Sequence, residues 1–207
     1  MEETRVKIIG IDRHRLTTDG DGVTTLVAFH DCPLRCRYCL NPQSLGDAGQ
    51  FGDYTPEELY DETRIDELYF IATRGGITFG GGEPCLRPQF IRRFRELCGT
   101  EWQLNLKTSL NVPTANVEVL FSMTNTLIID IKDMNPDIYR NYTGQENSRV
   151  LDNLRLIAAQ HRQSDCLIRL PLIPDFNTEA DRTASRTMLE ALGFTRFDLF
   201  TYQIRKY

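Results

Sequence analysis

The sequence of 207 residues holds no apolar run near the roughly 18–20 residues that a membrane span requires. Its opening, MEETRVKIIG, is too charged for a secretory signal. It has no excess of positive charge. With 24 Lys and Arg against 29 Asp and Glu the net charge is −5, which argues against a nucleic-acid-binding face. There is no Pro/Gly/Ser-rich linker and no repeat beyond a strand–helix unit. The pattern of a small secreted disulfide scaffold is also missing. Of six cysteines, Cys32, Cys36 and Cys39 crowd one segment, while Cys85, Cys98 and Cys166 are scattered in apolar contexts where a thiol acts as a small hydrophobe. At 41% hydrophobic and 26% charged residues, general disorder is excluded. These absences leave a soluble, cytoplasmic protein, one domain over residues 1–207, with no nucleic-acid or membrane partner.

What is present alternates short apolar runs with amphipathic ones. Strands are expected at Val23–Phe29, Ile77–Phe79, Gln103–Lys107, Thr126–Ile131, Cys166–Leu170 and Phe197–Tyr202, with an extra edge strand at Val6–Ile11. Thr55-Pro56-Glu57-Glu58 is a capping box with Pro at the first helical position. Further helices are expected over Arg87–Cys98, after Pro113, over Ser148–Gln160, and from Thr178 to a stop at Gly193. The Gly-rich stretch Leu45–Asp53 reads as a mobile loop. Six strand–helix units imply a parallel sheet, and six fall short of the eight that close a full barrel. The fold class is α/β, as an open, partial (β/α)6 barrel or a doubly wound sheet. Either places a ligand at the carboxyl ends of the strands.

The cysteine segment, Cys32-Pro33-Leu34-Arg35-Cys36-Arg37-Tyr38-Cys39, has C-x3-C-x2-C spacing directly after the first parallel strand. Three thiolates in one loop can hold three irons of a [4Fe–4S] cube and leave the fourth iron open to a chelating ligand. The alternative is a structural zinc site with His30 as fourth ligand, although zinc ligands usually come as two separated pairs.

This segment resembles the signature of the radical S-adenosylmethionine (SAM) superfamily, with Tyr38 as the aromatic residue before the third cysteine. A second mark, Gly81-Gly82-Glu83-Pro84, follows the next strand, where glycines let backbone approach a ligand closely. The resemblance is greatest to the pyruvate formate-lyase activating enzymes, the activases of glycyl-radical enzymes. It includes Asp19-Gly20-Asp21-Gly22-Val23, Cys39-Leu40-Asn41, Asp130-Ile131-Lys132, and Ile168-Arg169 followed by Pro171-Leu172-Ile173-Pro174-Asp175-Phe176-Asn177.

The resemblance implies a fold of the radical SAM type and two cofactors, a [4Fe–4S] cluster and S-adenosyl-L-methionine. It implies Cys32, Cys36 and Cys39 as iron ligands. Tyr38, Asn41, Gly81, Gly82, Glu83, Lys107, Thr108, Asp130, Lys132 and Arg169 are the implied cofactor contacts. No side chain is assigned a catalytic role of its own, because the radical forms on the cofactor. In the implied reaction an electron passes from the reduced cluster to the sulfonium of SAM, and the resulting 5′-deoxyadenosyl radical takes hydrogen from a substrate. Partners follow: a glycyl-radical enzyme as protein substrate and a flavodoxin- or ferredoxin-like electron donor. No further cysteine lies between Cys39 and Gly81, and no cysteine cluster follows Glu83, so a ferredoxin-like insert and auxiliary clusters are not expected.

Read as residues, Asp130 and Lys132 alternate along a strand and share a face, where the plain alternative is a surface ion pair. Arg169 lies in an apolar strand and needs an anionic partner, either the SAM carboxylate or ribose or a structural salt bridge. Lys107 stands where the activases carry an acidic residue that helps to bind a monovalent cation. Its ammonium is expected within reach of the SAM carboxylate or Asp130, or else in solvent. The family's closing Pro-Tyr-His is here Thr201-Tyr202-Gln203. An open barrel suits a large substrate such as a protein loop. Two rival functions remain: a radical SAM enzyme acting on a small molecule or peptide, and a non-catalytic iron–sulfur carrier or redox sensor, for which a SAM cradle would have no use.

Overall fold

Six parallel strands carry the molecule, and their carboxyl ends all open toward one cavity. The computed structural model describes residues 5–16, 18–46 and 51–204. The strands are β1 (Val6–Arg15), β2 (Thr24–Phe29), β3 (Gly52–Tyr54), β4 (Gly76–Gly81), β5 (Gln103–Thr108), β6 (Thr126–Asp130), β7 (Cys166–Leu172) and β8 (Phe197–Thr201). The helices are α1 (Pro56–Thr63), α2 (Glu67–Thr73), α3 (Pro88–Cys98), α4 (Thr114–Phe121), α5 (Pro136–Thr143), α6 (Ser148–Ala159) and α7 (Glu179–Ala191). The sheet order is β3-β1-β2-β4-β5-β6-β7-β8. β2 and β4 to β8 run parallel, as the expected six units require.

The observed departures from the sequence reading lie at the start of the sheet and in one helix. The extra strand runs to Arg15 and is not at the edge. It pairs antiparallel with β2 on one side and with β3 on the other. β3 begins within the expected loop, of which residues 47–50 lie outside the described residues. α5 is an addition. Asn135 caps it by accepting from the backbone N–H groups of Asp137 and Ile138, Pro136 opens it, and Gly144 ends it in the left-handed region. Elsewhere local signals agree with the fold. Thr55 and Glu58 form the expected capping box, and Thr178 and Asp181 form another.

The core between sheet and helices is rich in aromatic side chains. Trp102 is fully buried, with its ring centroid 4.9 Å from Phe70 and 5.5 Å from Tyr60. Phe29 stacks on Phe79 at 5.3 Å, which locks β2 to β4 just below the cavity. Cys85, Cys98 and Cys166 are buried and free, as small core residues. Among the described residues no helix is long and apolar enough to cross a membrane.

Candidate cofactor site

The cysteine loop leaves the end of β2 and is pinned on three sides. From α5, the carbonyls of Thr143 and Tyr142 accept the N–H groups of Arg35 (2.8 Å) and Arg37 (3.0 Å), so the loop satisfies orphan carbonyls of the last helical turn. From the end of β8, the Tyr202 hydroxyl donates to the Tyr38 carbonyl. From the β4 turn, Gly82 N–H donates to Phe29 O and Glu83 N–H to Asp31 O, both at 2.8 Å. That turn requires glycine. A Cβ on Gly82 would sit 2.2 Å from the Asp31 carbonyl oxygen, and Gly81 has φ +87° with Ala28 in the way.

Cys32, Cys36, Cys39 and Asn41 from the loop line one cavity of about 230 Å³. So do Gly81, Gly82 and Glu83 from the β4 end, Lys107 and Thr108 from β5, Asp130 at the end of β6 with Lys132 just beyond it, and Arg169 from β7. Of the expected site residues, Tyr38 is the one that does not border the cavity. Its hydroxyl donates to Asp175 (2.9 Å), and its ring packs against Tyr142, Phe176 and Tyr202. The sequence reading missed Leu26, Leu34, Ser109, Tyr142 and Phe200 as lining residues, and it noted Tyr202 only as a departure from the family ending.

Each charged group in the wall has a polar partner in the structure. The Glu83 carboxylate is buried and accepts from Thr108 Oγ1 (2.7 Å), Ser109 N (2.9 Å), Ser109 Oγ (2.7 Å) and Cys85 N (3.2 Å). Asp130 Oδ2 lies 3.5 Å from Lys132 Nζ and 3.8 Å from Arg169 Nη1. Burial alone would raise Asp130, but Lys132, then Arg169 and Lys107, more than offset it and hold the carboxyl below its usual range. Burial likewise works against the Lys132 ammonium, and Asp130 more than restores it. Arg169 makes the salt bridge that was one of its two expected roles, to Asp198 at 2.9 Å, and it also lies 4.4 Å over the Phe200 ring while lining the cavity.

Lys107 lines the cavity and acts electrostatically on Asp130, but its direct ion-pair partner is one the sequence reading did not name: its Nζ donates at 2.6 Å to Asp19 Oδ1 rather than pointing to solvent. Asp19 is fully buried and is also held by Arg15 and by the Thr18 hydroxyl (2.8 Å). Its carbonyl accepts from Thr78 and Asn105 on the inner face of the sheet. The segment expected only as an entry into β2 therefore supplies a buried anion that fixes a cavity lysine.

The residues present fit an iron–sulfur cluster with a chelating ligand beside it. Three thiols face one cavity, and a glycine cradle admits backbone contact. The buried Asp130 Oδ1 has no hydrogen-bond partner among the described residues, a costly state that a donor on a ligand would relieve. Burial and then the Glu83 charge push the Cys32 thiol up to about 12. Burial pushes Cys36 up to about 11, against the pull of Lys132. A bound metal reverses that balance and takes the thiolate form. The zinc alternative fits less well. His30 is committed through Nδ1 to Asp31 (3.0 Å) and through Nε2 to the Gly46 carbonyl (2.9 Å). Among the described residues no three His, Cys, Asp or Glu side chains converge as a site for a single metal ion.

Residues 26–186 match the model of the radical SAM superfamily, and the chain belongs to that superfamily. It is a radical SAM enzyme related to the glycyl-radical enzyme activases. It is 28% identical over 222 residues to the (2S)-3-sulfopropanediol dehydratase activating enzyme of Klebsiella oxytoca, covering 78% of this chain and 69% of that one. It is 33% identical over 139 residues to the pyruvate formate-lyase-activating enzyme of Clostridium pasteurianum, covering 67% of this chain and 58% of that one. In fold it is similar to SuiB of Streptococcus suis, solved bound to its precursor peptide SuiA. The TM-score is 0.68 at 14% identity, over 88% of this chain and 41% of that one.

Proposed function

We propose that the chain holds a [4Fe–4S] cluster on Cys32, Cys36 and Cys39, binds SAM in the adjoining cavity, and activates a glycyl-radical enzyme by taking hydrogen from a backbone glycine. The carrying observation is that twelve of the thirteen residues expected at this site line a single cavity at the carboxyl ends of the parallel strands. The cluster and SAM together would supply reductive cleavage of a carbon–sulfur bond, and with it hydrogen abstraction from an unactivated C–H.

The chain's own residues bind, orient and exclude water. A wall with Lys107, Lys132 and Arg169 on one side of the balance and Asp130 and Glu83 on the other suits a ligand with both a carboxylate and an ammonium. Asp130 Oδ1 offers the free acceptor. Lys132 and Arg169 supply positive charge: Asp130 more than offsets the burial of the Lys132 ammonium, and the Arg169 guanidinium stays charged in any setting. Gly81, Gly82 and Asn41, whose amide donates to Gly81 O (3.1 Å), give a rigid edge against which an extended ligand can lie. Leu26, Leu34 and Phe200 provide the apolar part of the wall that keeps water out. The activase reading draws on the activating enzymes among the relatives. We further propose that residues 1–207 work as one unit with no second cluster, since Cys85, Cys98 and Cys166 belong to the apolar core.

Anaerobic reconstitution tests this directly. One cubane per chain is expected, with Cys36→Ala losing both iron and SAM cleavage. A glycyl radical should appear by electron paramagnetic resonance when a partner glycyl-radical enzyme is added. Stoichiometric zinc, or iron retained by Cys36→Ala, would refute the ligand assignment. SAM cleavage that modifies a free small molecule but no protein would refute the activase reading.

A further inference from the structure

The turn that leaves β5 is strained and deeply buried. Leu110 has φ +59°, in the left-handed region that a residue with a Cβ enters only at a cost, and its side chain is fully buried. Local bonds account for part of the bend. Leu110 N–H donates to Thr108 Oγ1, and Val112 N–H donates to the Leu110 carbonyl, both at 2.9 Å. The other support comes from α6. The Asn153 amide nitrogen donates to the Leu110 carbonyl (2.8 Å) and to the Val112 carbonyl (2.9 Å), so one side chain closes the turn. Two carbonyl acceptors fix the amide with its nitrogen toward the turn. Asn153 is fully buried, and its Oδ1 has no hydrogen-bond partner among the described residues. An unmet buried acceptor is costly, so packing alone does not account for an asparagine there.

What this turn holds is the Glu83 corner of the cavity. Thr108 and Ser109, just before Leu110, make three of the four hydrogen bonds to the Glu83 carboxylate. Thr108 Oγ1 serves both sides, donating to Glu83 Oε1 and accepting from Leu110 N–H. Glu83, Thr108 and Ser109 line the cavity, and Asn153 does not. We infer that Asn153 is a positioning residue for the ligand site: it holds Leu110 left-handed, which aims Thr108 and Ser109 at Glu83 before a ligand arrives. The inference rests on the proposed binding of SAM in this cavity. Without the Asn153 amide, Leu110 is free to return to negative φ, which swings the chain before it relative to the chain after it. The sheet fixes β5 on one side. On the other, the Asn111 amide donates to the Tyr139 hydroxyl (3.0 Å) and the Glu146 carbonyl (2.8 Å). Ser109 lies between these anchors and takes up the change, and with it go two of the donors that orient Glu83.

The test compares Asn153→Leu, a change close in volume, with Ile157→Ala, which truncates a fully buried apolar side chain one turn further along α6. SAM is titrated calorimetrically into the reconstituted proteins. Asn153→Leu should bind it about 10-fold more weakly, the scale of one charge-assisted hydrogen bond. Ile157→Ala should unfold at lower urea yet bind SAM as wild type does. Iron content should match wild type in both. In a Glu83→Gln background Asn153→Leu should weaken binding no further, because both changes act at one carboxylate. A second measurement needs no variant. In the metal-free wild type, hydrogen exchange followed by NMR should show a protected Ser109 amide, since the turn is built without ligand. SAM affinity unchanged in Asn153→Leu, an equal loss in Ile157→Ala, or additive losses with Glu83→Gln would overturn the inference. So would a Ser109 amide that exchanges as fast as an exposed loop amide. A wild type that carries its cluster but does not bind SAM would instead overturn the proposed function, and this role with it.

Discussion

Replacing Lys107 by Met should destabilise the protein at neutral pH and much less at acid pH. Asp19 is fully buried, and Lys107 Nζ sits 2.6 Å from its Oδ1. Removing one partner of a buried ion pair costs about 3–5 kcal/mol when nothing else satisfies the remaining charge. Here Arg15 and the Thr18 hydroxyl stay on the other oxygen, so the loss should approach that of one charged hydrogen bond, about 2 kcal/mol. The pH dependence follows from the sign of the Asp19 shift. Burial pushes its carboxyl up, but Lys107, Arg15 and Thr18 more than offset burial and leave it lowered. A lowered carboxyl contributes stability that is fully present above its unfolded pKa of about 3.9 and is lost as pH falls through the folded value. The gap between wild type and Lys107→Met should therefore be about 2 kcal/mol at pH 7 and should close below about pH 3. Urea unfolding of the metal-free proteins at several pH values measures this, and a double-mutant cycle with Asp19→Asn isolates the pair. A difference under about 0.5 kcal/mol at neutral pH, or one equal at pH 7 and pH 3, would show that the pair does not hold Asp19 as argued.

Cys85→Ser should keep the cluster, because Cys85 is 1% exposed, hydrogen-bonds to Thr108 Oγ1 at 3.4 Å and stays outside the cavity lining; iron analysis that finds less metal than in wild type would contradict this. Glu83→Gln should cost about 2–3 kcal/mol in thermal or urea unfolding, since an amide NH2 would face donors from Thr108, Ser109 and Cys85, and a variant as stable as wild type would mean the network is not formed. SAM binding by the wild type, followed calorimetrically, should be indifferent to sodium and potassium because Lys107 already supplies a fixed positive charge. Lys107→Asp would set a second carboxylate beside Asp19 and should make binding depend on an added monovalent cation.

The parts of this molecule legible in its sequence are those set by local chemistry. The six parallel strands were readable because apolar, β-branched runs alternate with capped amphipathic helices. The cavity followed from them, since parallel strands gather their carboxyl ends in one place whatever the loops contain. Cys32, Cys36, Cys39, Gly81 and Gly82 were readable because their spacing or lack of side chain has one main use. α5 was missed although its signals were present: Asn135-Pro136 at the start, Gly144 at the end, and Tyr139 and Tyr142 on the buried side. With it went Tyr142, which lines the cavity and whose carbonyl holds the cysteine loop.

Lys107 is a different case. A strand-end lysine declares its charge but not its partner, and the partner lies 88 residues away in a segment whose glycines drew attention from its aspartate. Tyr38 and Tyr202, 164 residues apart, show the same limit. Their contact ties the end of the last strand to the cysteine loop at the Tyr38 carbonyl. A residue's spacing within its own loop can be read from the chain. The element that comes to rest against it is decided by the closing of the sheet, and at this site that closure determines which charges face the ligand and which neutralise one another behind the wall.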